Sequence, residues 1–168
     1  PIFGNWFIIR FIENPGMAFG IDIPGFYGKP MLTIFRLIAS GIITWYLISL
    51  IRRNAPVGFI ICISMILAGA LGNIIDSLFY GLIFSKSTYF EVAALFPAEG
   101  GYTSFLHGQV VDMLYFPLIE GSYPDWFPIL GGQQFVFFRP IFNIADSAIT
   151  LGVLSIFIFQ RKYLHELK

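Results

Sequence analysis

Charge is what this sequence has least of. Of 168 residues only 12% are Asp, Glu, Lys or Arg, about half the share of a typical soluble domain. Ten acids balance ten bases, so the chain is neutral and lacks the basic face that a nucleic-acid partner requires. The single cysteine, Cys62, excludes an internal disulfide and a thiolate metal site. His107 and His165 stand 58 residues apart, which is no zinc-ligand spacing, so neither metal nor cofactor is expected. Also missing are a Gly-x-Ser-x-Gly elbow, a Gly-rich phosphate loop, tandem repeats and the basic start and apolar core of a signal peptide.

What fills the space is apolar: 57% of the residues are hydrophobic and 18% aromatic, which excludes intrinsic disorder. Crossing a bilayer as a helix takes about 20 mainly apolar residues. Three stretches qualify, Met31–Ile51 with one charge (Arg36), Val57–Ile75 with none before Asp76, and Pro140–Phe159 with one acid (Asp146). No polar face recurs at helical spacing, so a soluble bundle is disfavoured. The fold class expected is an all-α polytopic membrane protein, an antiparallel transmembrane helix bundle with three spans here. Residues 1–168 are read as one membrane-embedded domain.

Arg52-Arg53 lies between the first two spans and Arg161-Lys162 follows the third. Three crossings put both basic segments on one side, which the positive-inside rule makes cytoplasmic. Pro1–Pro30 and Ser77–Arg139, which hold most of the acids, then face the outside or periplasm. Delivering Pro1–Pro30 there calls for a further membrane helix upstream of Pro1, so a truncated chain is expected.

In Pro1–Pro30, Asn14-Pro15-Gly16 and Pro24-Gly25 are turn signals among short apolar runs, and strands are expected. Within the long outer loop, Glu91–Phe96 is expected as a short surface helix. Phe105–Phe116 reads as a strand and Phe135–Phe138 as an aromatic edge. Trp6 and Trp126 suit a membrane-interface belt, although packing roles fit them as well.

Asn73-Ile-Ile-Asp76 ends the second span and Asn143-Ile-Ala-Asp146 opens the third. On a helix, i and i+3 share a face, and Ala68, Gly69 and Gly72 would admit a neighbouring helix. Asp146, six residues into its expected span, lies about 8–9 Å below the outer end at ~1.5 Å per residue. An acid at such depth is a functional candidate, or else a structural group bonded to Asn73 or Ser147. Asp76 sits at the interface and Asp112 in the outer loop. Two acids in one apolar site share a proton, and the pair can hydrolyse a peptide bond by general acid–base action. Elimination leaves this as the hydrolytic machinery on offer, without showing that the acids meet. The rival is a transporter or channel component that relays protons or cations through Asp146 and Asp76.

The motifs Asn14-Pro15-Gly16-Met17-Ala18-Phe19, Gly72-Asn73-Ile74-Ile75-Asp76, Val110-Val111-Asp112 and Phe142-Asn143-Ile144-Ala145-Asp146 resemble, in order, those of the lipoprotein signal peptidase (signal peptidase II) family. The resemblance implies an aspartic endopeptidase of the bacterial inner membrane, active toward the periplasm. It would cleave diacylglyceryl-prolipoprotein before its lipidated cysteine, beside membrane lipid, as a monomer blocked by globomycin-type inhibitors. It carries the catalytic pair onto Asp112 and Asp146, and positioning roles onto Asn14, Gly16, Asn73, Asp76 and Asn143. It also implies four membrane helices, a small periplasmic β-cradle and a mobile periplasmic helix. Two departures stand out. The family's first helix, with its Asp-x-x-x-Lys motif, is absent here. The Arg that commonly follows the second-span Asp is Ser77, which leaves Arg139 as a candidate partner of Asp76.

Overall fold

The computed structural model describes residues 1–4, 6–14, 25–88, 91–137 and 140–166. The chain divides into two compact units, Pro1–Ile12 with Val111–Asn143, and Glu13–Val110 with Ile144–Lys168.

The second unit is helical. α1 (Gly28–Arg52) and α2 (Val57–Ile75) are joined by a tight turn. In that turn Asn54 adopts a positive φ of 52°, a conformation Asn tolerates better than most residues. Pro56 precedes α2 and sets its start, since its missing N–H costs nothing there. Leu50, Ala55, Phe59 and Ile63 form a buried cluster at this end, backed by Tyr46, Ile156 and Tyr163. The Phe59 and Tyr163 rings lie 4.8 Å apart.

Past Ile75 the helix does not stop. Asp76–Tyr80 forms a π-helical turn and Gly81–Ile83 (α3) one more α-helical turn. Gly28–Arg52 and Val57–Ile83 are both long and apolar enough to cross a membrane. Helices therefore cover the first two expected spans and are longer than the apolar runs alone defined them.

The third expected span begins later. α4 covers Ile144–Phe159, 16 residues, or about 24 Å at ~1.5 Å per residue, because Ile141–Phe142 is a strand instead. Asp146 therefore lies in the first turn of α4, about 3 Å from its start rather than 8–9 Å. α5 (Arg161–Glu166) follows after a one-residue break at Gln160.

α2 and α4 pack closely because small residues line the seam. A Cβ at Gly69 would strike the Ala145 carbonyl, one at Gly72 would stand 3.1 Å from Ala145 Cβ, and one at Gly152 would be 2.8 Å from the Cys62 carbonyl.

The expected helix at Glu91–Phe96 is absent; the segment is extended. Leu95 bridges Phe84, with Ser85 N donating to Ala94 O at 3.0 Å and Phe96 N to Ile83 O at 2.8 Å. Pro97 also disfavours a helical Phe96, and Phe96 takes a φ of +50°.

The first unit is built of strands. β1 (Ile8–Asn14), β2 (Val110–Tyr115) and β5 (Ile141–Phe142) form a three-stranded sheet in the order β1-β2-β5, and β3 (Ile119–Ser122) pairs with β4 (Gln134–Phe137). The expected strand at Phe105–Phe116 shortens to Val110–Tyr115, since 105–109 is turn and loop. Aromatic stacking holds the unit: Phe7 lies 4.8 Å and Phe142 5.8 Å from the Phe116 ring. Arg10 sits over the Tyr115 ring at 5.2 Å, a cation–π contact. Because the chain also forms a three-stranded and a two-stranded sheet, the strictly all-α description is too narrow. The expected strands near the N-terminus and at the aromatic edge are present as β1 and β4.

Candidate active site

In the strand unit the central residue is Asp112. It lies in mid-β2 with 3% of its surface exposed, and Asn143, 5% exposed, donates Nδ2–H to its Oδ1 at 3.0 Å. Asn143 follows β5, the strand that pairs Leu114 with Phe142, so strand pairing carries the amide to the acid. A buried carboxylate is tolerated only where such donors replace water. Asp112 is a strand residue, not a loop acid, and Val110 and Val111, which precede it, are buried as well.

In the helical unit the central residue is Asp146. Asn73 of α2 donates Nδ2–H to its Oδ1 at 2.8 Å. The α2–α4 seam brings the two together: Gly69 and Gly72 permit contact with Ala145, and Asn73 and Asp146 are the next residues along each helix. The two Asn-x-x-Asp segments do meet, but not as two intact pairs. Asn143 lies outside α4 and serves Asp112, while Asn73 serves Asp146.

Asp76 opens the π-helical turn and is partly buried. Such turns are frequent at functional positions. Ser77, 3% exposed, donates Oγ–H to Asn73 O at 2.9 Å and accepts from Arg36 Nη1 at 3.3 Å. Its carbonyl accepts Gly108 N–H at 3.0 Å. Gly108 sits so close that a Cβ there would strike the Asp76 carbonyl.

The loop before β2 is pinned from α1. Lys29 Nζ donates to Gly108 O at 3.0 Å and to His107 O at 3.4 Å, and Thr33 Oγ1 donates to Leu106 O at 3.2 Å. Tyr102 Oη accepts Gln109 N–H at 2.8 Å. Burial pushes the Tyr102 hydroxyl up to about 12; the charges of Glu13 and Asp76 add to this, while the Gln109 N–H opposes it. Glu13 Oε1 accepts from Ser87 Oγ at 2.9 Å and from Ser87 N at 3.3 Å.

Asn14 closes β1 and is partly buried. Gly16 and Arg139 lie outside the described residues. Among the described residues no group of three or more His, Cys, Asp and Glu side chains is arranged to hold a metal ion. Sequence reasoning overlooked Arg36, Lys29 and Thr33. The available signal was an i, i+4, i+7 polar series within an otherwise apolar run.

Two apolar helices of spanning length fit a membrane protein, and in each unit an asparagine amide holds one acid. The chain belongs to the signal peptidase II family: the family model described as signal peptidase (SPase) II matches residues 1–161. It is 51% identical over 154 residues to the lipoprotein signal peptidase of Porphyromonas gingivalis, covering 91% of this chain and 66% of that protein. With the lipoprotein signal peptidase of Amoebophilus asiaticus it shares 42% identity over 161 residues, 95% of this chain and 64% of that one. The chain thus spans slightly less than two thirds of the length of these relatives. A solved bacterial membrane enzyme matches with a TM-score of 0.56 at 26% identity, covering 100% of this chain and 73% of its own. A second such structure gives 0.53 at 27% identity, covering 94% and 71%.

Proposed function

We propose that this chain belongs to a membrane-embedded aspartic endopeptidase that removes signal peptides from diacylglyceryl-modified prolipoproteins, with Asp112 and Asp146 as its catalytic pair. The observation that carries the reading is the matched amide support. Asn143 holds Asp112 and Asn73 holds Asp146, and only Ile144 and Ala145 separate Asn143 from Asp146 along the chain. The names of the relatives support the substrate class.

In the proposed step one carboxylate is ionised and the other protonated, as like charges in one apolar site require. The ionised acid takes a proton from water while the water oxygen bonds to the scissile carbonyl carbon. The protonated acid gives its proton to the carbonyl oxygen. Collapse breaks the C–N bond, the leaving nitrogen takes a proton, and a carboxyl and an amine are released. Positioned acid–base groups of this kind contribute about 10²–10⁴-fold.

The substrate's apolar signal helix and acyl chains keep the scissile bond at the membrane, so the site belongs at the outer interface. Arg52, Arg53, Arg161 and Lys162 mark the cytoplasmic side on this reading, in the bacterial inner membrane. Globomycin-type inhibitors compete for the same site, and the enzyme acts as a monomer.

The test is a gel-shift assay of full-length protein with lipidated prolipoprotein. D112N and D146N should each abolish processing while leaving expression and folding intact. Full processing by either variant overturns the pair. A proton- or cation-relay protein would depend on Asp146 and Asp76 and be indifferent to D112N.

A further inference from the structure

α1 carries a polar series inside its apolar run. Lys29, Thr33, Arg36 and Ser40 follow at spacings of four, three and four, which places them along one face. Thr33 and Ser40 are buried, at 3% and 4% exposure. Lys29 and Thr33 are engaged with the loop at 106–108. Arg36 has a different neighbour, the π-helical turn. It stands about 12 Å along α1 at ~1.5 Å per residue, inside an apolar helix where a cation is costly.

We propose that Arg36 is a positioning residue of the carboxylate site, acting through Ser77 and Asn73 to fix Asp146. The proposal rests on the peptidase reading above. The connection enters Asn73 at its main-chain carbonyl and leaves from its side-chain amide, and each bond has a defined direction. Arg36 Nη1 donates to Ser77 Oγ at 3.3 Å, Ser77 Oγ donates to Asn73 O at 2.9 Å, and Asn73 Nδ2 donates to Asp146 Oδ1 at 2.8 Å. All four residues belong to one compact unit. A cation at the head polarises the Ser77 hydroxyl toward the Asn73 carbonyl, as charge-assisted bonds do.

A neutral donor would satisfy the Ser77 hydroxyl at lower cost in a membrane. The charge joins a segment rich in acids: Asp76 precedes Ser77, and Asp146 lies at the other end of the connection. Lys29 lies near as well, its ammonium donating to the Gly108 and His107 carbonyls, and the charges of Glu13 and Asp76 act on Tyr80 of the turn. Arg36 therefore brings a positive charge from α1 to Ser77 of the π-helical turn.

The experiment compares R36Q, R36K and the relocated pair R36S/S77R with the wild type, using full-length protein in lipid and lipidated prolipoprotein. R36Q should lose about tenfold or more in kcat, the scale expected when reacting groups are misplaced, with KM changed less than about twofold. R36K should stay within about threefold of wild type, and R36S/S77R should recover most of the loss. Folded R36Q with wild-type kcat overturns the proposal, as does R36K as slow as R36Q. Should R36Q fail to fold, the relocated pair decides: recovered turnover supports the proposal, and a folded, slow protein overturns it. D112N tests the underlying reading separately, because a processing D112N removes the pair whatever Arg36 does.

Discussion

Asn73 of α2 donates its amide to the Asp146 carboxylate of α4 at 2.8 Å, joining two helices at the residues where each carries its most informative polar group. Two more glycines would not have produced this bond, nor would two more acids. It depends on a seam narrow enough to bring an amide and a carboxylate within reach, one residue beyond the Gly72–Ala145 contact.

Removing either amide should hurt turnover more than it hurts the fold. N73A and N143A each take one amide donor from the acid, and a misplacement of about 1 Å can cost on the order of 10²-fold. N143A also takes a donor from an almost fully buried carboxylate and should cost about 1–3 kcal/mol of stability. Single-turnover cleavage and thermal unfolding, measured on both variants, separate the two effects.

Narrowing of the seam is testable at Gly69. In G69A the new Cβ meets the Ala145 carbonyl, a backbone atom, together with Ile149 Cγ1 at 2.7 Å. The helices must part, at about 1–3 kcal/mol for such overpacking, and the Asn73–Asp146 bond should lengthen. G69A is expected to melt earlier and to process substrate more slowly, whereas G41A, with open space around its Cβ, should do neither.

Alkaline pH should loosen the loop before β2. Tyr102 ionises near 10.0 when unfolded and near 12 when folded, so the folded state holds its proton longer. Its contribution is intact below pH 10 and is lost as pH rises from there toward 12. Unfolding temperatures followed from pH 9 to 11.5 should fall faster in the wild type than in Y102F. The same variant should start out less stable at neutral pH, because the Gln109 N–H loses its acceptor.

Detaching Lys29 is a milder perturbation. K29M removes the donor to the Gly108 and His107 carbonyls while keeping the aliphatic stem. Loop amides at 106–109 should exchange with solvent faster, and processing should fall several-fold through disturbed placement of β2 and Asp112.

The apolar runs announced α1 and α2 because nothing but a bilayer or a buried core accommodates some twenty such residues. The third run misled at its start. Pro140-Ile141-Phe142 is as apolar as a helix needs, but Ile141 and Phe142 pair with Tyr115 and Leu114, and that partner is 26 or more residues away in sequence. Glu91–Phe96 misled likewise: its alanines favour helix, yet its backbone bonds go to residues 83–88. At the site, the four acids and amides were legible as residues, and the meeting of the two Asn-x-x-Asp segments was foreseen. The exchange of partners was not, because Asn143 belongs to a strand end and no local pattern records that. Arg36 was visible as the lone charge of its run; its attachment to Ser77 depends on how α1 and α2 pack.

The five residues from Asp76 to Tyr80 have a consequence for engineering. A π-helical turn leaves the Ser77 carbonyl available to Gly108. Deleting one residue between 76 and 80 would restore a regular helix and turn everything beyond it by ~100°, one residue's share of a 3.6-residue turn. Gly108 would then find no acceptor at its present place. The loop leading to Asp112 is thus indexed to the helical continuation of α2 through the Ser77 carbonyl.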